Sequence, residues 1–193
     1  MKLVGVVLAG GASSRFGGAP KGMALLNGKP MAAHVGEILR GMCSEIAIEA
    51  KPGAGYEALG APVIAAAPEH GGKGPLAGMA AGLAFAQSQG AEAAAFAPCD
   101  TPFLKPADFQ VLLDAIGEAP AVFALSEAGA EPLVSIVRTL LYSELETALA
   151  RPAIAPAHRF LTQAGAIGVG FSSSDAFRNI NTPEDLAAAQ SGA

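Results

Sequence analysis

Charge is scarce in this chain. Asp, Glu, Lys and Arg make up 15% of its 193 residues against 51% hydrophobic residues, with a formal net charge of −5. That balance excludes a disordered chain. An acidic total argues against nucleic acid as a main partner, though not against a nucleotide held by a local cationic cluster. Cysteine is scarcer still. Cys43 and Cys99 make no disulfide framework, and neither sits in a Cys-x-x-Cys or zinc-like spacing. Cys99 reads as a small buried hydrophobe. A catalytic thiol would need a partner histidine, and His34, His70 and His158 show no spacing that supplies one; each reads as a surface or loop residue. No apolar run reaches the roughly 18–20 residues of a membrane span. Met1-Lys2-Leu3-Val4 runs straight into the first apolar segment and leaves no room for a signal peptide, so a cytoplasmic protein is expected. No internal repeat is visible, and the length suits one domain over residues 1–193.

Glycine, by contrast, is crowded into one place. The apolar run Leu3-Val-Gly-Val-Val-Leu8 reads as a buried parallel strand. It is followed by Ala9-Gly-Gly-Ala-Ser-Ser-Arg-Phe-Gly-Gly-Ala-Pro-Lys-Gly22. Glycines let backbone N–H groups approach a ligand closely. With the cations Arg15 and Lys21 in the same loop, this is the chemistry that grips a polyphosphate. An ordinary glycine-rich turn has no need of Ser13, Ser14, Arg15 and Lys21 together. The Walker pattern fails, because Lys21 is followed by Gly22, and the dinucleotide fingerprint fails, because Gly10 and Gly11 are adjacent.

Strand and helix signals alternate along the rest of the chain. Strands are expected at Glu45–Ala50, Pro62–Ala66, Ala93–Ala97, Ala121–Leu125 and Glu131–Val137. Helices are expected at Met31–Gly41 with Pro30 as first helical residue, Pro75–Gln87, Pro106–Ile116, Leu140–Leu149 and Leu186–Gln190. The last is announced by the capping box Thr182-Pro-Glu-Asp185. Residues 152–156 read as a flexible connection. The alternation predicts an α/β fold, a single Rossmann-like domain with a mainly parallel, mixed sheet and helices on both faces. Ligands of such sheets lie beyond the carboxyl ends of the strands, which places the glycine-rich loop and Asp100 on one rim.

The loop text L-A-G-G-x-S-S-R-F-G-x-x-P-K-G resembles the signature of the nucleotidyltransferases. Three further segments narrow the resemblance: Gly74-Pro-Leu-Ala-Gly78, Pro98-Cys-Asp-Thr-Pro102 and Asn179-Ile-Asn-Thr-Pro-Glu-Asp-Leu186. In their order and spacing they resemble the molybdenum cofactor guanylyltransferases over nearly the whole chain. The resemblance implies a fold of the nucleotide-diphospho-sugar transferase type and transfer of GMP from Mg²⁺-bound GTP to molybdenum-loaded molybdopterin. It also allows for a molybdenum-insertion protein and molybdoenzyme chaperones as partners.

The same resemblance implies site roles. Arg15, Lys21 and Asp100 would be catalytic, and Asp100 would ligate Mg²⁺. Leu8, Ala9, Gly10, Gly11, Ser13, Lys21, Gly74, Pro75, Leu76, Gly78 and Asp100 would hold the nucleotide, and Asn179 and Asn181 would face the pterin. Blander roles stand beside these: Asp100 as a turn cap, Gly74 and Pro75 as helix capping, the asparagines as turn formers. One departure is visible. The family places an aspartate near Ala67, and Glu69 is the nearby acidic residue. Two alternatives therefore stay open, a CTP-dependent cytidylyltransferase and a degenerate nucleotide- or cofactor-binding module.

Overall fold

The computed structural model describes residues 1–11, 16, 19–172 and 175–191. The first strand, β1 (Leu3–Leu8), alternates its side chains between two cores. Val4 and Val6 face one core, and Leu3 and Val7 the other. The glycine-rich segment then leads to a hairpin of β2 (Leu25–Leu26) and β3 (Lys29–Pro30). Asn27 (φ 52°) and Gly28 (φ 81°) form its tip, the left-handed pair that a tight hairpin turn requires. Helix α1 (Met31–Arg40) buries Met31, Ala32, Val35, Gly36 and Leu39, a stripe at helical spacing. Pro30 is its N-cap, with ψ 137°, rather than its first helical residue, because it is also paired with Leu25 across the hairpin.

The chain continues through β4 (Glu45–Glu49), β5 (Val63–Ile64), α2 (Pro75–Ser88), β6 (Ala93–Pro98), α3 (Pro106–Ala115), β7 (Ala121–Ser126) and β8 (Gly129–Arg138). It ends with α4 (Tyr142–Leu149), α5 (Ala157–Gln163), β9 (Ile167–Gly170) and α6 (Pro183–Gln190). Seven strands form one sheet in the order β5-β4-β1-β6-β8-β7-β9. Only β8 runs against its neighbours. Helices α1 and α3 cover one face, and α2, α4 and α5 the other. The mixed, mainly parallel sheet expected from the alternation is the one observed.

Four elements escaped the sequence reading: β2 and β3 of the hairpin, α5 and β9. Expected Pro62–Ala66 shrinks to a two-residue β5, and expected Glu131–Val137 lengthens to β8. Helix α2 is apolar almost all round and correspondingly buried. Its Gly82 admits the ring of Phe96 from β6; a Cβ there would lie 2.5 Å from Phe96 Cε1. Among the described residues no helix is long and apolar enough to cross a membrane.

A third, small apolar cluster of Leu26, Met31 and Ile180 is joined by Phe16, Phe103, Leu186 and Ala189. It docks the hairpin and α6 onto the rim where β1 and β6 end. Gln190 Nε2 donates to Leu25 O at 2.8 Å and ties the end of α6 to the hairpin.

Candidate active site

Strands β4, β1 and β6 finish level: Leu8 pairs with Glu49 on one side and with Pro98 on the other. The connections leaving β1 and β6 depart in opposite directions, through α1 and α3 on their way to β4 and β7. That is the switch point at which such sheets bind ligands. Ala9 N–H donates to Glu49 O at 2.8 Å and Cys99 N–H to Leu8 O at 3.0 Å. The glycine-rich loop and the Asp100 segment therefore leave the sheet side by side.

Asp100 and Asn181 meet at Lys21. Its Nζ lies 2.5 Å from Asp100 Oδ2 and donates to Asn181 Oδ1 at 2.7 Å. The Lys21 and Asp100 side chains keep 16% and 19% of their exposure, so the pair is mostly shielded yet reachable from solvent. Asn181 is delivered by the α6 capping box. Thr182 Oγ1 accepts from Asp185 N–H, while Asp185 Oδ2 accepts from the N–H groups of Thr182 and Asn181. These donors hold the Asp185 carboxyl below its ordinary range. Ile180 N–H donates to Asp100 O at 2.9 Å and pins the segment to the site. Residues 21, 100 and 181 are thus one group in space.

Asn179 is exposed and takes no described part in that group. Beside it, the Arg178 guanidinium lies over the Phe103 ring at 4.5 Å. Ser13 and Arg15 lie outside the described residues. Gly11 is exposed. Gly74 takes φ 69°, ψ −158° as the N-cap of α2, with Pro75 at its first position, so its capping role is real. Leu76 is buried and contributes packing through its side chain.

One residue the sequence reading missed is Glu49. It is 8% exposed at the end of β4, and its carboxylate accepts from the N–H group of Gly10 at 3.2 Å. A Cβ on Gly10 or Gly78 would come within 2.7 or 2.8 Å of its oxygens. The two segments are glycine at those points because the carboxylate occupies the space. Burial holds the Glu49 carboxyl above the usual carboxylate range, against the pull of the Gly10 and Ala66 backbone amides. The signal in sequence is an acidic residue closing an apolar strand, Glu45-Ile-Ala-Ile-Glu49. Glu69, the expected substitute for the family aspartate, is exposed on a short turn at Pro68–His70, whereas Glu49 is buried between Gly10 and Gly78.

His34 lies on a helix rather than on the surface or in a loop, and His70 lies on the loop turn before α2 but is buried rather than exposed. His34 is half-buried on α1 and bonds Leu26 O at 2.9 Å. His70 is buried, with Nε2 within 3.0 and 3.1 Å of the Glu146 carboxylate on α4. His158 is exposed, as expected. Cys99 is buried, and desolvation pushes its thiol up to about 12, so it is an inert hydrophobe and not a nucleophile.

No three His, Cys, Asp or Glu residues cluster as a metal site among the described residues. A donor set of one carboxylate, Asp100, still fits a hard cation that keeps its waters and takes its remaining ligands from substrate phosphates.

Comparisons with known proteins agree with this geometry. Residues 5–166 match the family described as MobA-like NTP transferase domain. A molybdenum cofactor guanylyltransferase of Cereibacter sphaeroides is 38% identical over 192 residues, 99% of this chain and 97% of the relative. The crystal structure of molybdopterin-guanine dinucleotide biosynthesis protein A from Archaeoglobus fulgidus superposes with a TM-score of 0.76 at 25% identity, covering 98% and 97% of the two chains. A 4-diphosphocytidyl-2C-methyl-D-erythritol synthase from Anaerococcus prevotii shares the fold at 12% identity, with a TM-score of 0.73 over 99% and 95% of the chains. With near-full-length identity, a matching fold and the motifs gathered on one rim, the chain belongs to the molybdenum cofactor guanylyltransferase family of the MobA-like NTP transferases.

Proposed function

We propose that the protein transfers GMP from GTP to the terminal phosphate of molybdenum-loaded molybdopterin. A phosphate oxygen of the acceptor bonds to the α-phosphorus of GTP, the bond to the β-phosphate breaks, and pyrophosphate leaves. The observation that carries this reading is the Lys21–Asp100–Asn181 group at the β1/β6 rim, directly beside the glycine-rich loop.

The acceptor phosphate is already anionic at neutral pH, so positioning and charge neutralisation suffice. The exposed Gly11 lets the backbone approach the nucleotide closely, while the Gly10 N–H is engaged by Glu49. Lys21 and Arg15 bind the triphosphate and stabilise charge on departing pyrophosphate. Asp100 would hold Mg²⁺, which when bound neutralises phosphate charge and aligns the triphosphate. Asp100 and Asn181 hold the Lys21 ammonium in place, and Asn181 and Asn179 lie toward the acceptor side.

Glu49 supports guanine over cytosine. A carboxylate offers about four lone-pair sites, and one here is taken by the Gly10 N–H. Guanine presents two adjacent donors, N1–H and the N2 amine, which a carboxylate accepts together. Cytosine presents no such adjacent pair. Titration with GTP, ITP and CTP in the presence of Mg²⁺ tests this: affinity should fall in that order, and equal affinity for GTP and CTP would exclude Glu49 as the selector.

Pyrophosphate release from Mg²⁺-bound GTP and loaded molybdopterin tests the reaction itself. Turnover that Asp100→Asn abolishes is the expected result. An absence of pyrophosphate from the unaltered protein would overturn the reading.

A further inference from the structure

The glycine-rich loop has two ends, and the structure secures the second with a residue no motif contains. Lys21 opens a three-residue 3-10 turn, Lys21–Met23. Within it, Met23 N–H and Ala24 N–H find backbone acceptors in Pro20 O and Lys21 O. A first turn leaves its early N–H groups without intrahelical partners. The Gly22 N–H, which is buried, donates instead to Tyr56 Oη at 3.2 Å.

Space confirms the match. A Cβ on Gly22 would lie 2.8 Å from Tyr56 Oη and 3.1 Å from Cys99 Cβ. Glycine follows Lys21 because a phenol and the neighbouring strand end fill the volume, and no left-handed φ is involved.

Tyr56 is itself firmly placed. It is 1% exposed, on a short 3-10 turn (Tyr56–Leu59) between β4 and β5. Gly55 (φ 89°) and Gly60 (φ 70°) bracket that turn in left-handed conformations. The Glu57 carboxylate closes the preceding loop by accepting from the N–H groups of Gly53 and Gly55 at 2.9 and 3.1 Å. Burial keeps the phenol protonated well beyond its ordinary range, so it stays a neutral partner for the amide.

We infer that Tyr56 is a positioning residue for Lys21: its hydroxyl fixes Gly22, and so sets where the lysine stem begins. A lysine carries a flexible four-carbon stem. Anchoring its backbone restricts the search of the ammonium to the neighbourhood of Asp100, Asn181 and the incoming triphosphate. The inference rests on the reading of Lys21 as the triphosphate contact.

Tyr56→Phe tests it, because the ring stays and only the hydroxyl goes. Amide hydrogen exchange at Gly22 is expected to accelerate. The KM for GTP is expected to rise about tenfold, the equivalent of one lost hydrogen bond, with the KM for acceptor unchanged. Affinity for inorganic tripolyphosphate, which needs no guanylyl transfer, should fall in parallel. In a Lys21→Ala background, adding Tyr56→Phe should leave the remaining affinity unchanged. Glu57→Ala, on the exposed loop that carries Tyr56, should move Gly22 exchange and the tripolyphosphate affinity in the same direction. Unaltered Gly22 exchange in Tyr56→Phe, or an effect fully additive with Lys21→Ala, would overturn the inference. Should Tyr56→Phe fail to fold, unaltered exchange and affinity in Glu57→Ala would do so. Wild-type binding of tripolyphosphate without pyrophosphate production would instead overturn the proposed reaction and leave Tyr56 in place.

Discussion

At the scale of single residues, buried or half-buried polar groups decide the site. Lys21→Ala is expected to weaken GTP binding by about 1–3 kcal/mol, the range for a charge-assisted hydrogen bond; calorimetric titration measures it, and unchanged affinity would remove Lys21 from the triphosphate. Glu49 makes a second prediction through its acidity. Burial raises its carboxyl in the folded state. Such a group contributes stability that is fully present below its unfolded pKa and lost as pH rises through its folded one. Stability should therefore decline with rising pH from the ordinary glutamate range, about 4.3, up to the raised value. Glu49→Gln, which does not titrate, should flatten that part of the profile in urea denaturation at a series of pH values. An identical slope in both proteins would show that the carboxyl is not the source.

At the scale of elements, small residues let large ones in, and caps deliver side chains. Gly82 in α2 lies where a Cβ would come 2.5 Å from the Phe96 ring. Gly82→Ala is expected to cost about 1–3 kcal/mol by overpacking, read as a lower denaturation midpoint with unchanged slope. The α6 cap works on function as well as stability. Thr182→Ala removes the side-chain acceptor of Asp185 N–H and should cost about 1 kcal/mol. Because the same box holds Asn181 beside Lys21, the KM for GTP should rise with it. A loss of stability with both KM values intact would confine the cap to a structural role. The β2–β3 hairpin was legible in principle, since Asn27-Gly28 is a strong local turn signal. Helix α5 and β9 were not. Residues 167–170 are mostly exposed and glycine-rich, and only pairing with β7 makes them a strand.

At the scale of the whole molecule, one seven-stranded sheet with cores on both faces links every segment of the site. Mg²⁺-bound GTP at about 100 times its Kd should add roughly 2.7 kcal/mol. For a chain of this size, at about 2–4 °C per kcal/mol, Tm should rise by roughly 5–11 °C. No shift with GTP present would contradict nucleotide binding at the rim.

The alternation of apolar runs with proline- and glycine-marked helix starts was enough to specify an α/β fold, because local periodicity records which faces are buried. The four motifs likewise identified the family and named Lys21, Asp100 and Asn181. That these three form one group depends on the register of β1 between β4 and β6 and on the docking of α6 across 160 residues of chain. Glu49 and Tyr56 became functional candidates only in space. Glu49 shows in sequence only as an acidic residue closing an apolar strand and Tyr56 shows nothing local, and the importance of each comes from the backbone N–H of Gly10 or Gly22 that folding places against it. Sequence patterns report burial and backbone conformation, whereas the pairing of distant polar groups is set by tertiary packing.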